Sequence, residues 1–92
     1  MAYETLHETH PDIVKRLRRA EGHLRSIIEM IAAGRSCLDL AQQLHAVEKA
    51  IANAKRTLIH DHIDHCLAAA AGPMTGEQRT QFGECKEITK YL

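Results

Sequence analysis

The stretch LIHDHIDHCLAAAA places His60, His62, His65 and Cys66 within seven residues, a density of imidazole and thiol that suits soft or borderline metal ions. His62 and Cys66 are four apart, so on a helix their side chains share one face and can grip a single ion. Two ligands seldom complete a site. The soft donor upstream, Cys37, precedes His62 by twenty-five residues. On one continuous helix that gap is about 37 Å at 1.5 Å per residue, too far for one protomer to close. An antiparallel copy of the same helix closes it, because a two-fold axis near Ala50 and Ile51 sets Cys37 of one chain beside His62 and Cys66 of the other. A metal site therefore requires dimerisation through that helix.

Simpler roles compete for each residue. A helical His is commonly solvent-facing, and Cys37 can pack as a small hydrophobe. His60 and His65 point to other faces and are expected at the surface beside Asp64 and Asp61, while Cys85 is expected to be ordinary packing. Cys66 with His62 one turn away also has the outline of an activated thiol. The chain lacks an oxyanion-hole motif and a Gly-rich phosphate loop, and it is small for a deep substrate cleft, so no enzyme is expected.

The elements that must position these residues are helical. Pro11 suits a first helical position with Asp12 near the positive helix end, and residues 1–9 read as a flexible arm ahead of a single domain over 10–92. Ile13, Leu17, Ala20, Leu24, Ile27 or Ile28, and Ile31 recur at spacings of three and four, and Gly34 supplies a left-handed stop. Ser36 and Asp39 resemble a capping box that starts a second helix beside Cys37. Neither Gly nor Pro occurs between Leu38 and Ala71, and Leu40, Leu44, Val47, Ile51, Ala54 and Leu58 form a heptad-like stripe ended by Gly72 and Pro73. Thr75 and Gln78 then cap a shorter third helix through about Tyr91, interrupted by Gly83. The expected fold is all-α: three helices per protomer, the central one longest.

With 92 residues, no Trp, one Phe and two Tyr, one such protomer has few large side chains for a core, so an oligomer is expected. The formal charge is zero, yet VKRLRRAEGHLR gathers Lys15, Arg16, Arg18, Arg19 and Arg25 against a single Glu. No charged-then-apolar leader pattern is present, and no apolar run approaches the roughly 20 residues that span a bilayer, so a cytoplasmic location is expected. In that reducing compartment Cys37, Cys66 and Cys85 are expected as thiols.

Three stretches, RLRRAEGHL in the first helix, SCLDLAQQLHAVEKAI opening the second and HDHIDHC closing it, make the chain resemble the CsoR/RcnR group of small helical metal-sensing repressors over residues 10–92. The resemblance implies an antiparallel four-helix dimer, doubled to a dimer of dimers, that holds operator DNA when metal-free and releases it on metal binding. It implies Cys37, His62 and Cys66 as ligands across the dimer. It also points to Arg16 and Arg19 for DNA binding, with Lys15 and Arg18 as neighbours that reach phosphates; no classical recognition helix is evident, so shape readout is expected. Persulfide sensors of this group lack the His kept here as His62, and formaldehyde sensors carry an N-terminal Pro where this chain begins MAYE. Two thiolates and one imidazole suit Cu(I). Nickel and cobalt sensors add a His from the arm, where Thr5 stands here, but His7 and His10 lie close by. With the dense histidines of HDHIDH they favour Ni(II) or Co(II), with Cu(I) as the alternative. A metal-storage protein without DNA regulation is the alternative of another class.

Overall fold

The computed structural model describes residues 9–69 and 76–92. Among them are three α-helices, α1 (His10–Ala32), α2 (Cys37–Ala69) and α3 (Gly76–Ile88), followed by a short 3-10 turn (Thr89–Tyr91), and no strand. The all-α expectation holds, with α2 the longest element at 33 residues. None of these helices is long and apolar enough to cross a membrane.

Local chemistry sets the break between α1 and α2. Gly34 adopts a φ of 78°, a left-handed conformation that glycine enters without a Cβ clash. The Gly34 amide donates to the Ile31 carbonyl at 3.1 Å and the Arg35 amide to the Met30 carbonyl at 3.1 Å, the paired bonds of a Schellman stop. Ser36 Oγ then accepts the Asp39 amide at 3.1 Å, so α2 begins at Cys37 as its sequence predicts. The Asp39 carboxylate takes the Arg35 guanidinium at 2.7 Å, which holds a cation just outside the cap. At the other end of α1, Pro11 occupies the first turn and Asp12 accepts from Arg16 Nε at 2.8 Å.

Contacts divide the chain into two compact units, one covering Pro11–Ala54 and the other built on Lys55–Leu92, with α2 running through both. In the first unit Ile13, Ala20 and Ile27 are buried from α1, and Val47 and Ala54 from α2. A 2.6 Å hydrogen bond between His23 Nε2 and Gln43 Oε1 ties the middle of α1 to the second turn of α2. A second apolar series on α1, Leu17, Leu24 and Ile31, is also spaced by seven but lies exposed, as do Ile28, Leu44 and Ile51. Leu17, Ala20, Leu24, Ile28 and Ile51 line one shallow apolar groove. Among the described residues of the second unit, Ile59 on α2 and Cys85 on α3 are buried.

The third helix differs from expectation at two points. It runs through Gly83 without a break, because the cost of about 1 kcal/mol for one mid-helix glycine does not exceed what its neighbours supply. It ends at Ile88, after which the chain tightens into the 3-10 turn. The expected stop at Gly72 and Pro73 and the Thr75 cap lie outside the described residues.

Candidate metal centre and basic helix face

His62 and Cys66 occupy successive turns of α2 in the second unit, both half-buried. Their donor atoms meet a third, the Sγ of Cys85 on α3, and the three lie within 4.8 Å of one another. Cys85 is only 7% exposed, so it forms the inner wall of the cluster. The Sγ atoms of Cys66 and Cys85 are bonded to each other, nineteen residues apart in sequence, with Cα atoms 6.3 Å apart, a separation ordinary for a disulfide. This corrects two expectations, that all three cysteines are thiols and that Cys85 is simple packing. The cause is tertiary: α3 brings Cys85 to the His62/Cys66 face, and sequence spacing alone gives no measure of where a third helix lands.

Cys37 is a free, exposed cysteine at the first residue of α2. Among the described residues the close donor group is His62, Cys66 and Cys85, without Cys37 or His10. His10 opens α1 and is half-buried. His7 lies outside the described residues. His60 is exposed as expected, whereas His65 is half-buried, held by the packing of its unit, with Nδ1 3.8 Å from Asp61 Oδ1 one helical turn away. The set of one imidazole and two sulfurs is the soft donor chemistry that d10 ions favour, so the residues present fit a thiophilic metal once the sulfurs are reduced.

The basic stretch of α1 is solvent-facing. Lys15, Arg16, Arg18 and Arg19 are all exposed. Lys15, Arg18 and Arg19 surround one shallow depression with Pro11 and Val14, whereas Arg16 is not part of that lining and forms an ion pair with Asp12. Three cations on one helical face, with no acidic residue among the depression's lining, present positive charge at the spacing of a helix surface.

A family model described as a metal-sensitive transcriptional repressor matches residues 9–92. The chain belongs to this repressor family. It is 32% identical over 78 residues to the copper-sensing transcriptional repressor CsoR of Mycobacterium ulcerans, an alignment covering 85% of this chain and 65% of that protein. It is 41% identical over 66 residues to the CsoR of Bacillus subtilis, covering 72% and 65%. It is 39% identical over 56 residues to the copper-sensing transcriptional repressor RicR of Mycobacterium tuberculosis, covering 61% and 58%. The chain thus spans just under two thirds of the length of the curated relatives it matches. No solved structure matches it. A family of transcriptional repressors agrees with the absence of enzyme motifs in the sequence.

Proposed function

We propose that this chain is a Cu(I)-responsive transcriptional repressor that holds operator DNA through the basic face of α1 in its metal-free state and releases it when the ion binds. The observation that carries this reading is the convergence of His62 and Cys66 with a second sulfur in a member of the repressor family. The relatives named above are copper sensors, which favours Cu(I) over the Ni(II) or Co(II) that the arm histidines first recommend. The sequence places Thr5, not His, where the nickel and cobalt sensors carry their extra ligand. The preference for nickel or cobalt is therefore set aside in favour of its alternative.

His62 and Cys66 are the donors contributed by the second unit, and Cys37 of a second copy is the cross-subunit donor that the helix spacing calls for. The ion supplies a point of high affinity for thiolate and imidazole and no redox step. What the chain itself does is hold His62 and Cys66 on one face and present Lys15, Arg16, Arg18 and Arg19 to phosphates. The partner is a second copy of the chain, doubled to a tetramer. The exposed apolar series of Leu17, Leu24, Ile28, Leu44 and Ile51 supports that assembly, since one protomer leaves these residues in water. A cytoplasmic location accompanies this reading. The test is operator binding with and without Cu(I). Loss of affinity by the coupling free energy, typically about 1–3 kcal/mol, supports the sensor, and equal affinity for operator and random DNA under both conditions supports a storage protein.

A further inference from the structure

Two partners compete for the sulfur of Cys66. Metal binding needs it as a thiolate, yet it is bonded to Cys85, a third cysteine for which the cross-subunit site has no use. We propose that Cys85 is a resolving thiol that locks the metal site under oxidation: a hydroperoxide joins Cys66 to Cys85, Cys66 is withdrawn from the ion, and the repressor stays on its operator when Cu(I) is added. The inference rests on the reading of His62, Cys66 and Cys37 of a second copy as the Cu(I) donors, and it gives that same site a second input.

Three observations carry it. The Cα atoms of Cys66 on α2 and Cys85 on α3 lie 6.3 Å apart, within the span of a disulfide, so the bond forms with both helices in place. The two sulfurs also differ in access. Cys66 is half-buried and Cys85 is only 7% exposed, so a small oxidant from solvent meets Cys66 first, and Cys85 meets the product. Finally, Cys37 cannot compete within the chain. It opens α2, twenty-nine residues before Cys66 and about eight turns along the same helix, and it remains a free, exposed thiol while the other two are bonded.

The Cys66 thiolate attacks one peroxide oxygen, the O–O bond breaks, and the other oxygen leaves as an alcohol, or as water from hydrogen peroxide, with the proton the thiol gave up. Cys66 is then a sulfenic acid. The Cys85 sulfur attacks it, the S–S bond forms, and the hydroxyl leaves as water with the Cys85 proton. Two thiols have passed two electrons to the peroxide. A thiol of the glutathione class reverses the lock by returning two electrons and two protons, and itself leaves as a disulfide. In a reducing compartment such a bond is transient, the form that redox-sensing disulfides take. Thiolates ligate the ion and disulfide sulfurs do not, so the bonded state offers it His62 and Cys37 of a second copy alone. The bond involves no residue of α1, which leaves the cations of that helix for phosphate.

The experiment uses the full chain, reduced with a phosphine, freed of it, and treated in the absence of oxygen with one equivalent of hydrogen peroxide and then catalase. Peptide mapping without reductant, with no metal present, is expected to find Cys66 linked to Cys85 and Cys37 still open to alkylation. Titration of Cu(I) against a chromogenic chelator is expected to show affinity lower by more than about 100-fold after oxidation, since loss even of a group that merely orients a ligand costs about 10–100-fold. Phosphine is expected to restore it. On labelled operator, Cu(I) is expected to release the reduced protein and not the oxidised one. Reduced Cys85→Ala and Cys85→Ser are expected to bind Cu(I) as the wild type does. After peroxide their Cys66 is expected to remain a sulfenic acid that a cyclic diketone traps, a product that a merely structural role for Cys85 would not create.

A wild-type map that links Cys66 to Cys37 of a second copy, or diketone trapping as frequent in the wild type as in the variants, overturns the lock and leaves the sensor intact. Oxidised protein that leaves the operator before Cu(I) is added does the same. Linked protein that binds Cu(I) as tightly as the reduced protein overturns both the lock and Cys66 as a donor. Failure of the reduced wild type to bind Cu(I), read before any oxidant is added, overturns the sensor and the lock together. If both variants unfold, the map and the titration of the wild type decide by themselves.

Discussion

The two units of this small protein use their cysteines and apolar residues in opposite ways. In Pro11–Ala54 the thiol is single and exposed at Cys37, the apolar residues are split between a buried series and an exposed one, and the cations gather on one helix face. In the unit built on Lys55–Leu92 the two sulfurs are drawn together beside an imidazole, and Ile59 is almost fully buried nearby in sequence. The first unit presents its cations and its thiol to solvent, the second draws two sulfurs and an imidazole together, and α2 passes through each unit without interruption.

This contrast is broken most severely through the buried residues. Ile59→Ala or Ile27→Ala is expected to cost about 2–5 kcal/mol of stability, measured by urea unfolding, because each side chain is nearly inaccessible to water. Ile28→Ala, on the exposed series, is expected to stay within about 0.5 kcal/mol for the isolated protomer. A large loss at Ile28 in the assembled protein, together with a concentration dependence, places that loss in the interface between copies.

The inward-facing chemistry is tested next. His62→Ala is expected to weaken Cu(I) binding by about 100-fold or more in the chelator titration, since it removes a ligand and not just a supporting group. His60→Ala is expected to leave it unchanged. Equal effects at the two positions would remove the distinction between the donor face of α2 and its solvent face.

The outward-facing charge gives a smaller effect per residue but a distinctive signature. Replacing Lys15, Arg18 and Arg19 together by Ala is expected to flatten the salt dependence of operator binding by about 0.9 per lost phosphate contact, near 2.7 in all, with similar losses for operator and random DNA. Arg16→Ala gives less if its pairing with Asp12 holds it back from phosphate. The smallest expected effects are at the junction: Gly34→Ala forces a Cβ into a left-handed backbone and Ser36→Ala removes the cap, each costing about 1 kcal/mol by thermal unfolding.

Features controlled by near neighbours were legible in the sequence. Gly34 stops α1 and Ser36 starts α2 because each acts on backbone groups within five residues of itself. The pairing of His65 with Asp61 follows from one helical turn. What periodicity could not supply was which of two apolar series faces inward: Ile13, Ala20 and Ile27 share their seven-residue spacing with Leu17, Leu24 and Ile31, and only packing separates them. The pairing of Cys85 with Cys66 is hidden for a related reason: the two lie on different helices, and no local pattern encodes where α3 packs. An odd third cysteine, set on a helix in a chain already rich in metal donors, was the signal available.

Whether metal at the His62/Cys66 cluster governs DNA binding is read from fluorescence anisotropy of labelled operator DNA with the reduced protein, with and without one equivalent of Cu(I) per protomer, in wild type and His62→Ala. Cu(I) is expected to weaken operator binding by the wild type by roughly 5–150-fold, the usual span of such couplings, whereas His62→Ala is expected to bind operator normally and not to respond to the ion. Operator affinity unaffected by Cu(I) in the wild type, or release that persists undiminished in His62→Ala, would contradict it.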